Sequence, residues 1–246
     1  MKNILLVGES WTSYTTHIKG FDSFYTSTYE TGEMFLKDAL EKNGYNITFL
    51  TNHEAAEKFP FDIDELKKYD CIILSDIGAN TLLLPHATFT KSERRPNRCN
   101  LIKDYVIEGG SLLMIGGYMT FSGVDGKGKW QDTMVQDVLP VYVSPYDDRM
   151  EHCEGVYPKT VNNHEVVSKI SSEWPYVLGY NKTRLKEEAT LIAEVSGDPF
   201  IAVAEYGKGR SGVFTSDCAP HWAPPEFVNW KDYENIWVGF MEWLIK

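Results

Sequence analysis

A short, mostly apolar run at residues 111–115 (SLLMI) has a pair of glycines on each side. A continuous run of this length is typical of a strand buried on both faces of a parallel sheet. Gly116 and Gly117 allow the backbone to turn sharply at the carboxyl end of this strand, where open α/β sheets bind their ligands. Tyr118 follows them, so we predict a candidate site at these three residues. The alternative is that they only end the strand and cover the sheet.

Strand and helix patterns alternate through the first half of the chain. Apolar runs predict strands, and segments with apolar residues on one face predict helices, at 4–7, 29–42, 46–50, 71–74, 97–108 and 111–115. This alternation, with right-handed crossovers, indicates an α/β fold with a flavodoxin-like, doubly wound, mostly parallel sheet and helices on both faces. Later apolar runs are separated by glycine turns and predict a C-terminal antiparallel extension.

We predict a single domain over residues 1–246, because no repeat, low-complexity segment or linker interrupts the chain. Its parts are a parallel α/β core at 1–145, a mostly antiparallel extension at 146–225 and a sealing helix at 226–246. The sealing helix places four apolar side chains on one face, those of Trp237, Phe240, Met241 and Leu244.

The segment between the first strand and the first helix is far longer than such connections usually are. Insertions of this kind are more often functional than idle, so we predict a loop that folds over the sheet edge. Its candidate ligand-binding residues are Ser10, Trp11, His17 and Asp22. A flavodoxin-like phosphate site for flavin requires a helix directly after the strand, and here the helix begins too late.

Charge and cysteine content exclude several classes of protein. The chain has 24 Lys and Arg against 35 Asp and Glu, a net charge of -11, so we expect no nucleic acid partner. No apolar run approaches the roughly 18 residues that span a bilayer, so we expect a cytoplasmic protein without membrane contact. The four cysteines form no CxxC pair, which favours free thiols over disulfides.

A second polar loop, residues 216–222 (SDCAPHW), places a carboxylate, a thiol and an imidazole within five residues. Cys218 lies three residues before His221, so a thiolate activated by this histidine is one hypothesis. The other is a packed thiol beside a functional His221. Asp217 and Trp222 join the candidate ligand-binding residues.

Metal and cofactor motifs are incomplete. The cysteines and histidines could supply zinc ligands, but they lack the spacing of a zinc finger or ribbon. The set considered is His152, Cys153, Cys218 and His221. Residues 123–130 nearly match a phosphate-binding loop, yet Trp130 stands where Ser or Thr would reach the metal ion. We therefore expect no metal and no cofactor.

With the glycine turn and the polar loops at 75–80 and 216–222, the chain is similar to the class I glutamine amidotransferase-like family. More narrowly, it resembles a bacterial group of cytoplasmic proteins within that family. The matching segments run nearly end to end and are 19–22 (KGFD), 75–80 (SDIGAN), 115–118 (IGGY), 147–149 (DDR), 207–210 (GKGR) and 216–222 (SDCAPHW). The resemblance implies a flavodoxin-like sheet whose central turn carries a nucleophilic cysteine, with a histidine and a glutamate near the C-terminus.

The chain departs from this family pattern at the turn, where Gly116, Gly117 and Tyr118 supply no thiol. His221 lies about where the family histidine would be, and no His-x-Glu follows it. Glutamine hydrolysis needs a covalent thioester, and a tyrosine hydroxyl with a pKa near ~10 is a poor nucleophile at neutral pH. Trehalose-utilisation-like proteins and a domain of some galactosidases share this turn, and the resemblance to them implies a sugar-related ligand.

Three functions are compatible with these residues. The leading one is a protein without glutaminase activity that binds a small polar ligand at the carboxyl ends of the strands. The residues expected to contact that ligand are Ser10, Trp11, His17, Asp22, Asn80, Gly116, Gly117, Arg149, Asp217 and Trp222. The second is a hydrolase or isomerase in which Asp76 or His221 is the general base and Tyr118 donates a proton or stabilises an oxyanion. The third is a glutaminase that uses Cys218. Exposed aromatic side chains would favour a homo-oligomer.

Overall fold

The computed structural model describes residues 1–171 and 173–246. Within them the strands are β1 (Lys2–Gly8), β2 (Ser10–Lys19), β3 (Asp22–Thr31), β4 (Tyr45–Leu50), β5 (Cys71–Ser75), β6 (Ser111–Ile115), β7 (Val141–Tyr142), β8 (Arg149–Val156), β9 (Lys159–Thr160), β10 (Val177–Asn181), β11 (Arg184–Leu185), β12 (Thr190–Val195), β13 (Asp198–Tyr206) and β14 (Gly209–Phe214). The α-helices are α1 (Met34–Lys42), α2 (Asn52–Lys58), α3 (Ile63–Leu66), α4 (Ala79–Leu83), α5 (His86–Lys91), α6 (Arg98–Ile107), α7 (Pro225–Val228) and α8 (Tyr233–Leu244). None of these described helices is long and apolar enough to cross a membrane.

Strand β6 lies inside an eight-stranded sheet with the order β4, β1, β5, β6, β14, β13, β12, β9. The first five strands are parallel, and β13, β12 and β9 continue the sheet in antiparallel fashion. This order confirms the predicted α/β fold class, with antiparallel strands at the C-terminal end. Strand β14 joins the parallel and antiparallel parts of the sheet, because it pairs in parallel with β6 and antiparallel with β13.

The two faces of the sheet have separate hydrophobic cores, as the period of two along each strand requires. Ile4 and Leu6 of β1 face one core, which α1 and α8 cover with side chains such as Leu36 and Trp237. Leu5 and Val7 face the other core, which includes Ile102 and Tyr105 of α6. Because both faces are covered, the central parallel strands β1, β5 and β6 each contain a continuous apolar run.

The segment at residues 10–31 differs from the prediction. It is a β-hairpin, not a loop, and in the described part of the chain its strands β2 and β3 pair only with each other. Gly20 has a φ of 65°, which suits a two-residue turn, and the flanking β-branched and aromatic residues favour strands. The hairpin is exposed almost throughout and does not fold over the sheet edge. The first helix therefore begins at Met34 and not near residue 29. We call residues 10–31 the arm.

The parallel strands position the candidate site. Strands β1, β5, β6 and β14 are neighbours, so their carboxyl ends meet at one edge of the sheet. The residues that follow these four ends are Glu9, Asp76, Gly116 and the loop at 215–222.

Candidate functional site

The turn after β6 is fixed by a buried amide. The N–H of Gly117 donates to Oδ1 of Asn181 at 3.0 Å, and Nδ2 of Asn181 donates to the Gly117 carbonyl at 3.2 Å. Nδ2 of Asn181 also donates to Asp148 at 2.9 Å, and both side chains are buried. A Cβ atom at Gly116 would lie 2.2 Å from the carbonyl oxygen of Thr215. The turn is therefore a rigid backbone feature that only glycine fits at this position.

Asp76 occupies the space in front of the turn. Its Oδ1 accepts a hydrogen bond from the N–H of Met119 at 2.8 Å, and the N–H of Tyr118 also points to this carboxylate. A Cβ atom at Gly117 would lie 2.7 Å from the same Oδ1, and Gly117 has a φ of 149°. A side chain cannot begin at Gly117 without displacing Asp76.

Glu9 is the first residue after β1, just as Asp76 is the first residue after β5. Both residues have a φ of 42°, a left-handed conformation that is uncommon outside glycine and concentrates at functional sites. Glu9 is buried and accepts hydrogen bonds from the hydroxyl of Ser75 and from Sγ of Cys218, the latter at 3.5 Å. Glu9 is not among the residues predicted from the sequence, although it lies two residues beyond a predicted strand, as Asp76 does.

The loop after β14 adds a carboxylate and an imidazole. Asp217 is buried, and its Oδ2 lies 3.6 Å from Nδ1 of His221. The His221 side chain is 40% exposed. Its ring meets the ring of Tyr118 edge-on, with centroids 4.1 Å apart. The geometry therefore gives an accessible imidazole with an acid behind it, in contact with the glycine turn.

The acidic groups of the cluster change the pKa values of their neighbours. Burial, followed by the charges of Asp217 and Asp76, raises the pKa of Glu9 well above its ordinary value. Burial and the charge of Asp217 raise the pKa of Asp76 to about 6. Burial disfavours the charged form of His221, but the contact with Asp217 outweighs it and raises the pKa of His221. Groups with such shifted pKa values in one cluster are candidates for proton transfer near neutral pH.

Tyr118 and Trp222 form an aromatic wall beside the cluster. The guanidinium carbon of Arg149 lies 4.9 Å from the centre of the Tyr118 ring. Trp222 contacts both Tyr118 and His221, and its Nε1 donates to Glu151 at 3.0 Å. Trp222 is only 1% exposed, so it supports the wall from behind, whereas we expected it to line the site.

The remaining predicted residues separate into two groups. Ser10 and Trp11 lie at the root of the arm, where Ser10 Oγ accepts a hydrogen bond from the N–H of Asn52. His17 and Asp22 lie far along the arm, His17 stacked on Phe24 and Asp22 at the hairpin turn. At about 3.3 Å per strand residue, His17 is roughly 20 Å beyond the arm root. The arm thus extends His17 and Asp22 beyond its root, and their contact with a ligand stays a prediction.

Asn80 is exposed in the first turn of α4, so its role stays a prediction. Asp148 and Asn181, which hold the turn, were not identified as site residues. Asp148 lies within the matching segment at 147–149, and no motif surrounds Asn181.

Of the residues considered from the sequence for a metal site, only Cys218 belongs to a group of potential ligands among the described residues. Among the described residues, ligand atoms of Glu9, Asp217 and Cys218 lie within 4.8 Å of one another. His152 instead stacks on Tyr180, and Cys153 is exposed on β8. The four residues considered from the sequence as zinc ligands therefore do not form a cluster of potential ligands among the described residues.

Comparisons with known proteins place this site in a family. The model of a family described as putative glutamine amidotransferase matches residues 3–246. A cytoplasmic protein from Salmonella typhimurium is 40% identical, with 98% of each chain covered and a TM-score of 0.95. A second cytoplasmic protein, from Salmonella typhimurium LT2, is 40% identical over 99% of this chain and 100% of its own, with a TM-score of 0.96.

A more distant structure, a ThuA-like protein from Bacteroides uniformis, shares the fold at 12% identity. It covers 98% of this chain and 90% of its own, with a TM-score of 0.54. No curated protein matches the chain. From the family match along almost its whole length and the two Salmonella structures, the chain belongs to the putative glutamine amidotransferase family.

Proposed function

We propose that this protein is an acid–base enzyme, a hydrolase or isomerase, that acts on a small polyhydroxylated ligand without a cysteine nucleophile. The observation that carries the proposal is the position of the Asp76 carboxyl group, which fills the space where a nucleophilic side chain at Gly117 would begin. A cytoplasmic location, like that of the two Salmonella proteins, is part of the proposal.

Asp76 and His221 have the properties that general acid–base catalysis needs. Asp76 is partly exposed and its pKa is raised to about 6 by burial and by Asp217, so it exchanges protons close to neutral pH. His221 reaches solvent and has Asp217 behind it to hold the charged imidazole. Two titratable groups with different environments in one cluster are the usual arrangement for an acid and a base.

The environment of Cys218 counts against thiol chemistry. The residue is fully buried, and burial raises the pKa of its thiol well above the ordinary value. Its neighbours are the acidic Glu9 and the hydroxyl of Ser75, whereas activated thiolates lie beside positive groups. A glutaminase that uses Cys218 would have to expose and deprotonate this thiol.

The ligand class follows from the groups that reach solvent. Carboxylates accept hydrogen bonds from hydroxyl groups, and the partly exposed ring of Tyr118 offers an apolar surface to a sugar ring. Since Trp222 is buried, Tyr118 supplies the aromatic contact in this proposal.

The test begins with a thermal-shift screen of neutral sugars and polyols. Turnover of each stabilising compound is then followed by NMR for the wild type, Asp76→Asn, His221→Gln and the control Asp38→Asn, which changes an exposed carboxylate. We expect Asp76→Asn and His221→Gln to bind the compound but to lose about 100-fold or more in turnover. Full turnover by Asp76→Asn would overturn the proposal, and so would binding without turnover by the wild type. Ammonia release from glutamine that Cys218→Ser abolishes would identify a glutaminase instead.

A further inference from the structure

The arm presents one face without charges. Directly opposed residues of an antiparallel pair share a face, so positions 12, 14, 16 and 18 of β2 lie with 29, 27, 25 and 23 of β3. These eight residues are Thr, Tyr, Ser and Ile, and none is charged. We call this surface the tyrosine face. The other face carries Trp11, His17, Lys19, Asp22 and Glu30.

The aromatic side chains on the two faces of the arm differ in how far other side chains cover them. On the charged face, His17 and Lys19 cover the ring of Phe24, and Trp11 donates to Glu30. On the tyrosine face, Tyr14, Tyr25 and Ile18 are 79%, 73% and 75% exposed. Phe21 at the tip is fully exposed. Such a row of exposed apolar groups on a soluble chain indicates an interaction surface.

We propose that the tyrosine face packs against the tyrosine face of a second copy of this chain, around a two-fold axis, to form a homodimer. An isologous interface requires a surface that complements itself. Hydroxyl groups of Thr, Ser and Tyr both donate and accept hydrogen bonds, so an identical surface can satisfy them. This inference does not depend on the proposed enzymatic function.

Charge favours the same partner. The chain has a net charge of -11, so two copies repel each other over most of their surfaces. The tyrosine face contributes nothing to this repulsion because it contains no charged residue. It is therefore a place where two like-charged copies can meet without burying charges.

The size of the arm is sufficient for a dimer. Ten residues per strand at about 3.3 Å give a length of roughly 33 Å. We place the two-fold axis perpendicular to the arms, so that the tip of one arm reaches the root of the other, where Tyr29 contacts His53. Burying both tyrosine faces and both tips removes on the order of 1,000 Å² from water, the lower bound for a specific interface. An isolated two-stranded hairpin is only marginally stable, so the second copy also supplies the support that the arm lacks.

The experiment measures the mass of the whole chain by light scattering after size exclusion, from about 1 to 100 µM, a range that covers most stable dimers. The test variant is Tyr14→Lys with Tyr25→Lys, and the matched control is Ser13→Lys with Thr26→Lys on the other face. We expect a dimeric wild type and control, and a dimer dissociation constant raised about 100-fold or more in the test variant because like charges meet in the interface.

A cross-linking measurement makes the result independent of any effect of the lysines on folding. In a Cys153→Ser background, Phe21→Cys with Thr12→Cys should form disulfide-linked dimers, because tip and root meet between copies. Phe21→Cys with Ser13→Cys, on the opposite face of the root, should form few. A wild type that stays monomeric at 100 µM, about the upper end of ordinary dimer affinities, overturns the proposal. It is also overturned if the test variant remains dimeric like the control, or if the arm binds only a different protein.

Discussion

Asp76 should reduce the stability of the folded protein at neutral pH, so its replacement by asparagine should stabilise it. The carboxyl group lies against the glycine turn, and its burial and the charge of Asp217 disfavour its negative form. Asparagine has the same shape and keeps an oxygen that accepts the N–H of Met119. The substitution Asp76→Asn therefore removes the charge and retains the hydrogen bond.

The magnitude follows from the pKa of Asp76, which burial and Asp217 raise from 3.8 to about 6. A difference of this size corresponds to roughly 3 kcal/mol, and partial exposure of the side chain reduces it to about 1 to 3 kcal/mol. Since the folded-state pKa is the higher one, the contribution of Asp76 to stability is fully present below about pH 4 and is lost as the pH rises through 6. The variant gains nothing at pH 4 and most at pH 8.

The measurement is urea unfolding of the wild type and Asp76→Asn at half-unit steps from pH 4.5 to pH 8, with Asp38→Asn as the control. The difference between wild type and Asp76→Asn should widen with pH and level off above 7, whereas Asp38→Asn should follow the wild type. The charge of Asp76 also raises the pKa of Glu9. The gain in stability therefore includes the loss of the repulsion between these two carboxyl groups. A difference that does not vary with pH, or a variant less stable than the wild type at pH 8, would refute the assignment of Asp76 as a destabilised carboxylate.

Two further predictions concern the turn and the thiols. Gly117→Ala should cost about 2 to 4 kcal/mol in urea unfolding, because its Cβ would lie 2.7 Å from Oδ1 of Asp76 at a φ of 149°; an equal cost in an Asp76→Gly background would show that Asp76 is not the obstacle. A maleimide should modify the exposed Cys153 in the native protein and spare the buried Cys218, as read by peptide mass mapping. Equal rates at both cysteines would contradict the burial of Cys218.

The sequence predicted the sheet well because burial on both faces leaves a strong signal. The runs at 71–74 and 111–115 have no polar interruption and are bounded by turn residues, and both are central parallel strands. The arm gave no comparable signal, since neither face of β2 or β3 contacts a core and the usual apolar alternation is absent. Its strands are specified by cross-strand pairs, which a search for amphipathic patterns does not detect.

The candidate site was predictable where it depends on strand ends and not where it depends on packing. Asp76, Tyr118 and Asp217 each follow a parallel strand, and neighbouring parallel strands bring their carboxyl ends together. The same rule applies to Glu9. Asn181 could not be found this way, because it comes from β10, which pairs with β8 outside the main sheet. Only the folded chain places its amide on the glycine turn.

The hydrogen bonds of the turn also limit what the site can bind. Backbone N–H groups after a central strand commonly hold an anion or a developing oxyanion. Here the N–H groups of Tyr118 and Met119 point to Asp76, so a negative ligand group or the oxyanion of amide hydrolysis would compete with a carboxylate already in place. A neutral ligand meets no such competition and can donate its hydroxyl groups to the carboxyl groups of Asp76 and its neighbours. We therefore expect neutral, hydroxyl-rich compounds to bind more tightly than their carboxylate analogues, and the preference for the neutral compound to weaken below pH 6 as Asp76 becomes protonated.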